Sequence, residues 1–300
     1  MKKVLVIYYT QSGQLAEIAA NVSKPFADNA QYQVDFHEIK PLSPFPFPWD
    51  GDRFFGAFPE SFVQEPIALE PVPAAILDTA YDLILFHYQV WYLSPSIPIN
   101  SFLKSQDGKT ILSGKQVVTV SGSRNMWVMA QEKVKVLLKE AGADLIGNVA
   151  LVDRVGNLIS VLTIVDWMFS GKKRKKWGML PLPGVSEKDI SESSKFGRII
   201  LRHFEQNPMG NLQQELVRND AVRISSYLVL VDKTGNKIFN KWSKFIKSRK
   251  SGRKTWLKVF YVYLFLAIWV ISPIVYILHL LTYPLKINKI KRETQYYQGV

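Results

Sequence analysis

The chain contains no cysteine. That absence excludes a disulfide framework, a thiolate metal site and a cysteine nucleophile. Histidine is scarce as well: His37, His87, His203 and His279 are scattered without metal-ligand spacing, so no metal is expected. The polar loop after the first apolar run has no lysine at its end, which excludes a Walker-type nucleotide site. Tyr8 and Tyr9 stand where a phospho-acceptor domain needs acidic residues, so that chemistry is excluded too. No internal repeat is visible. The apolar run behind Lys2 and Lys3 is only one strand long, too short for the core of a secretory signal.

Acidic residues are what the second part of the chain lacks. Residues 1–170 carry 13 Lys/Arg and 17 Asp/Glu, a net of −4, whereas residues 171–300 carry 25 and 8, a net of +17. A basic half suits nucleic acid or an anionic membrane surface. The run from Val259 to Leu285 decides for the membrane: it has 27 residues without a charge, more than the roughly 20 that cross a bilayer. No nucleic-acid partner is expected. Trp256, Trp269, Tyr283 and the neighbouring lysines suit the two interfaces. Eight Lys/Arg lie between Lys241 and Lys258 and four between Lys286 and Arg292. That bias keeps the N-terminal part in the cytoplasm, at the inner membrane. Pro273 and His279 leave open a kinked span or a re-entrant hairpin, and a buried core helix is the soluble alternative.

The first part alternates strand and helix patterns. Strands are expected over 4–9, 32–39, 82–86, 116–120 and 144–152, with helices over 15–26, 98–104, 127–141 and 188–206. Such alternation implies a parallel sheet covered on both faces. Five strands favour the order 2-1-3-4-5, with ligand at the carboxyl ends of strands one, three and four. Three insertions depart from a minimal version, the third over 211–258. The stretch 41–73 is rich in proline and aromatics, and it forms either a lid of Phe45, Phe47, Trp49, Phe54, Phe55, Phe58 and Phe62 or plain packing. The stretch 157–178 holds an apolar helix with Ser160, Thr163, Asp166 and Ser170 near one face, followed by KKRKK. It suits a membrane-interface helix, and equally a dimer contact or core helix. Beyond it, Thr234–Asn236 reads as a turn signal in a segment with no clear assignment.

Three loops carry the candidate chemistry. Thr10, Gln11, Ser12, Gly13, Gln14 and Leu15 sit between the first strand and first helix, where helix N–H groups and hydroxyls suit a phosphate. After strand three come His87, Tyr88, Gln89, Val90, Trp91 and Tyr92, suited to stacking on a planar conjugated ring or, equally, to core packing. After strand four come Ser121, Gly122 and Arg124. The arginine could face the edge of a ring or the oxygens of a substrate, or it could cap a helix on the surface.

The segment YDLILFHYQVWYLSPSIPINSFL resembles the flavin-binding stretch of flavodoxin-like reductases, with its V-W-x-x-S-P-S-x-P run. That similarity covers about residues 1–206 and implies an FMN-binding α/β domain of the flavodoxin type. MKKVLVIYYTQSGQL, SGSRNMWVMAQE and the apolar tail together resemble a narrower bacterial family, the dialkylresorcinol condensing enzymes of aryl-polyene and flexirubin-type pigment clusters. Leu15 departs from the threonine usual in flavodoxin phosphate loops, which removes one phosphate contact. Condensation itself needs a cysteine nucleophile, absent here. The resemblance therefore implies a separate ketosynthase-like partner. This chain would perform the remaining step, an FMN-dependent aromatisation of a dialkyl cyclohexane-1,3-dione to a dialkylresorcinol. His87 or Tyr88 would act as base and Arg124 would stabilise the enolate.

The chain is thus expected to be a flavin-dependent oxidoreductase with a lipophilic substrate. It divides into 1–206 (flavodoxin-like), 207–255 (basic juxtamembrane extension), 256–286 (transmembrane or membrane-embedded anchor) and 287–300 (basic tail). An NAD(P)H:quinone-type reductase and a non-catalytic electron carrier remain alternatives, and homodimerisation stays open.

Overall fold

The structure, a computed structural model, describes residues 1–206 and 209–300. Five parallel strands, β1 (Lys2–Tyr8), β2 (Tyr32–Glu38), β3 (Leu83–Trp91), β4 (Gln116–Ser123) and β5 (Asp144–Val152), form one sheet in the order β2-β1-β3-β4-β5. This is the flavodoxin-like α/β winding expected from the sequence, and it places the switch point between β1 and β3. A sixth strand of two residues, Ser94–Pro95, folds back antiparallel on the end of β3.

The central strands are apolar on both sides because helices cover both faces. Successive side chains alternate between faces. Val4, Val6, Leu83 and Leu85 pack under α1 (Gln14–Ala27) and α5 (Ser194–Gln206). Leu5, Ile7, Ile84 and Phe86 pack against α2 (Ile97–Lys104) and α3 (Val128–Glu140). Between α1 and α5 the approach is very close: a Cβ on Gly197 would lie 2.0 Å from the carbonyl oxygen of Val22.

Three elements differ from the sequence expectation. β3 runs on to Trp91, because Gln89 pairs with Gly122 of an equally extended β4 and the last two residues pair with Ser94–Pro95. The turn signal at Thr234–Asn236 lies inside an unbroken helix, α6 (Ser226–Lys247). There Thr234 returns its hydroxyl to the Leu230 carbonyl, and a Cβ on Gly235 would stand 3.0 Å from Leu93, so this glycine serves close packing. The expected extension begins on residues 207–208, which lie outside the described residues. The anchor and tail form one helix, α7 (Arg253–Gln298), of 46 residues. At 1.5 Å per residue it is about 69 Å long. A π-helical stretch at Ala267–Ile271 precedes Pro273, and the chain continues as a helix without a hairpin. α7 is long and apolar enough to cross a membrane by length and composition.

Gly197→Ala should force α5 away from α1, because the obstacle is backbone. Equilibrium denaturation should show a loss of at least about 1–3 kcal/mol. Unchanged stability would mean the two helices have slack.

Candidate functional site

The loop after β1 is shaped by its own atoms. Gly13 has φ +87°, a conformation that side chains resist, and its N–H donates to the Thr10 hydroxyl at 3.1 Å. α1 begins at the next residue. The first N–H groups of a helix have no partner within it, so this end of α1 presents donors and a partial positive charge. Gln11 and Gln14 are spent on holding the loop. Gln11 accepts from the Tyr9 hydroxyl at 2.5 Å and donates to the Pro46 carbonyl at 2.8 Å. Gln14 pairs with Val185 through both amide atoms, at 3.0 and 3.1 Å. Leu15 is buried beside Gly122, where an added Cβ would meet its Cδ1 at 3.0 Å. The departure from threonine is therefore a packing contact between α1 and the end of β4.

A cavity of about 700 Å³ opens at the carboxyl ends of β1, β3 and β4, within the range of small-molecule sites. Ser12, Gln89, Trp91, Gly122, Ser123 and Arg124 line its sheet end. Gln89 Nε2 and Ser123 Oγ are buried there without a protein partner. Buried polar atoms normally have one, so these two are free to meet a ligand's polar edge. Arg124 is held by Asn157, through the carbonyl at 3.1 Å and Oδ1 at 2.9 Å. Burial draws its pKa down to about 10, opposed by the charge of Asp153, so the guanidinium stays cationic at neutral pH.

Aromatic side chains build the next wall. Trp91 meets Tyr9, Phe45 and Trp49 edge-on at 6.0, 4.9 and 5.4 Å. Tyr92 and Leu93 turn the chain with φ of 49° and 60°, a left-handed pair that costs of order 1–2 kcal/mol per residue. The Tyr92 hydroxyl, donating to the Phe54 carbonyl at 2.6 Å, secures that turn to the insertion. The insertion itself is divided. Phe47, Trp49, Phe54 and Phe55 line the cavity. Phe58 and Phe62 pack instead against α6 and α7, with Phe58 stacked on Phe260 at 3.9 Å.

Of the residues singled out from the sequence, Gln11, Ser12, Gln14, Leu15, Gln89, Val90, Trp91, Tyr92, Gly122 and Arg124 line this one cavity. Thr10 and Gly13 shape the loop after β1 from behind, while Ser121 is buried within β4 and does not line the cavity. His87 and Tyr88 do not reach it, because β3 continues past them and leaves them inside the sheet. His87 is fully buried, its Nδ1 3.1 Å from the Leu85 carbonyl, and burial lowers its pKa to about 4. Tyr88 donates to Gln131 at 2.6 Å on the opposite face, and burial pushes its pKa far up. Neither has a path to a proton on a ligand in the cavity. Sequence reasoning missed Asn157, the holder of Arg124, and the contributions of α4 (Asn157–Ser170) and α7 to the far wall. The apolar periodicity of α4 was visible; the long-range docking of α7 had no local signal.

No protein-family model matches the chain, and no curated protein matches it. Solved structures similar to it include a flavoprotein from Lactobacillus acidophilus in complex with FMN (20% identity, 50% of this chain and 93% of that one, TM-score 0.40). A flavodoxin from the domain Archaea (12%, 68% and 99%, TM-score 0.39) and oxidised flavodoxin 1 from Bacillus cereus (13%, 67% and 99%, TM-score 0.36) are others. The fold assignment rests on the strand order, not on these scores.

The division of the insertion is testable with two variants. Phe54→Ser with Phe55→Ser should leave thermal unfolding nearly unchanged but weaken retention of an alkyl-chain dye in the cavity. Phe58→Ser, which empties the stack on Phe260, should cost about 3–5 kcal/mol. Equal destabilisation by both would make the whole insertion a core element.

Proposed function

We propose that this chain is an FMN-dependent oxidoreductase acting on a lipophilic cyclic substrate at the membrane. The observation that carries the reading is a single cavity, at the position where this winding holds its ligand. It joins a helix N-terminus and partnerless polar atoms at one end to aromatic and aliphatic walls at the other. The donor set fits the cofactor. The α1 terminus and Ser12 suit a terminal monophosphate. Gln89 and Ser123 suit the polar edge of a flat ring, and Trp91 and Tyr92 its apolar face.

The resemblance to the dialkylresorcinol family supplies the substrate class, a dialkyl cyclohexane-1,3-dione. The chemistry that bound FMN supplies is acceptance of a hydride. The protein's part is placement and charge. A 1,3-dione is acidic between its carbonyls, so its enolate forms without a strong base. Arg124, cationic and fixed by Asn157, would hold the enolate oxygen. From the neutral enol, a proton leaves the ring CH2 beside the enol carbon and a hydride leaves the carbon next to it; the product is a neutral dienone, and a proton shift within it gives the resorcinol. The acceptor for that proton lies outside the sheet interior, since His87 and Tyr88 do not reach the cavity. The aromatic walls exclude water and receive the alkyl chains. The basic flanks of the apolar helix support seating on the cytoplasmic leaflet. A ketosynthase-like protein would supply the dione. A quinone reductase would use the same apolar cavity, and only its substrates separate it. An electron carrier is disfavoured by Phe54 and Phe55, which stand along the cavity where a protein partner would need access.

Anaerobic incubation of the purified protein with a 2,5-dialkylcyclohexane-1,3-dione should bleach the flavin and give a product lighter by two hydrogen atoms. Turnover with quinone and nicotinamide alone, and none with the dione, would favour the reductase. Arg124→Gln should keep flavin yet lower kcat by about 10²–10³. A variant as fast as the parent would remove Arg124 from the reaction.

A further inference from the structure

The outer faces of the two helices that wall the cavity are apolar and bare. α7 turns one stripe inward along its whole length. Phe260 packs on Phe58, His279 meets the Ser226 hydroxyl at 3.0 Å, and Tyr297 is buried near the end. The opposite stripe of Val262, Phe265, Val270, Ile274, Ile277 and Leu281 is 48% to 71% exposed. Soluble surfaces rarely leave so long an apolar strip uncovered.

Both ends of α7 are fastened to the same body. Arg253 pairs with Glu60 at 2.7 Å at the start. Near the finish, Glu293 pairs with Lys233 at 2.7 Å, and the Tyr296 hydroxyl donates to Glu132 at 2.8 Å. A spanning helix carries its ends to opposite sides of about 30 Å of hydrocarbon. Here that would drag Glu60 or Glu132, with the domain, into the bilayer. α4 is built inside out beside it. Ser160 and Thr163 face the protein, with the Ser160 hydroxyl donating to Asp153 at 2.7 Å, while Ile159 and Val165 are each 42% exposed. Of the polar stripe read from the sequence, Ser160 and Thr163 are buried, while Asp166 is paired with Arg174 and Lys176.

Charge frames this surface. Lys250 and Lys258 at one end of the strip, and Lys286, Lys289, Lys291 and Arg292 at the other, appear in no ion pair among the described residues. Between the ends lies the mouth of the cavity. Val165, Tyr261 and Phe265 line the cavity and are also 42%, 48% and 51% exposed, so they form its rim within the apolar surface.

We propose that this surface seats the protein flat on an anionic bilayer leaflet, with α7 in the plane and the cavity opening directly into the acyl region. A lipophilic substrate then enters sideways from the leaflet without crossing water. The seating stands on the surface alone; the entry route rests on the cavity being the substrate site proposed above.

The absence of native cysteine makes the test direct. The full chain is bound to vesicles of phosphatidylglycerol and phosphatidylethanolamine, with a spin label on Val262→Cys, Ile274→Cys or Leu281→Cys. Power-saturation measurements should place all three at a similar shallow depth, roughly 5–10 Å into the headgroup and acyl boundary. A depth profile that passes through the bilayer centre between Val262 and Leu281 would overturn the proposal. In sealed vesicles, Thr255→Cys and Lys289→Cys should both react with an impermeant maleimide added to the side carrying the domain; reaction of only one there would mean a span. Equal binding to pure phosphatidylcholine vesicles would contradict the anionic preference. None of these readings depends on flavin. A failed seating with a flavin spectrum intact, or the reverse, therefore tells the two conclusions apart.

Discussion

The rings of Phe58 and Phe260 lie 3.9 Å apart with their planes 5° from parallel. The placement of the insertion and of the two long C-terminal helices depends on that contact. Phe239 and Trp242 of α6 close around it edge-on and at a tilt. It joins the insertion after β2, the helix α6 and the apolar helix α7 into one cluster. Through Phe58 the insertion is held at the height where Phe54 and Phe55 reach the cavity. Through Phe260, α7 is held where Tyr261 and Phe265 stand at its rim. The cavity therefore belongs to neither the sheet domain nor the helical tail; it exists where the cluster brings the two together.

This coupling explains why apolar surface is divided as it is. A helix with 27 uncharged residues in a row has no polar face to offer water. Docking one stripe on the domain buries part of the chain and leaves the rest bare. α4 solves the same problem in the same direction, with Ser160 turned inward to Asp153 and Ile159 and Val165 turned out. Two helices with the same outward character, beside a basic run at 172–176, form a continuous face rather than two separate accidents of packing. Polar chemistry is confined to the opposite end, where α1 starts and Arg124 is fixed by Asn157.

The strands of the sheet were legible in the sequence because buried parallel strands are written as unbroken apolar, β-branched runs, as in Val4–Ile7. The ends of those strands were less legible. Gln89, Val90 and Trp91 look like a loop, yet β4 extends far enough to pair with Gln89, and Ser94–Pro95 folds back to pair with Val90 and Trp91. That shift moves the edge of the sheet past His87 and Tyr88 and takes both from the site. The phosphate-type loop, Trp91 and Arg124 could be found by position alone, since each follows a strand that must end at the same side of the sheet. Asn157 could not, because its partner is 33 residues away and no pattern connects them. Thr234-Gly235-Asn236 carries local turn chemistry, but burial against Leu93 overrides it. The direction of α7 was unreadable for a related reason. Hydropathy measures whether a segment can cross a bilayer, whereas the docking of both its ends depends on Glu60, Lys233 and Glu132 far away in the chain.

FMN belongs at the end of the cavity between α1, β3 and β4. That occupancy is tested most directly by the absorption spectrum of the full-length protein purified in mild detergent, followed by chromatography of the cofactor released on denaturation. The spectrum should show the two bands of an oxidised flavin and the released species should be FMN, with both lost in the double variant Ser12→Ala, Gly13→Val. A colourless protein that stays colourless when FMN is added, or FAD as the sole cofactor, would contradict it.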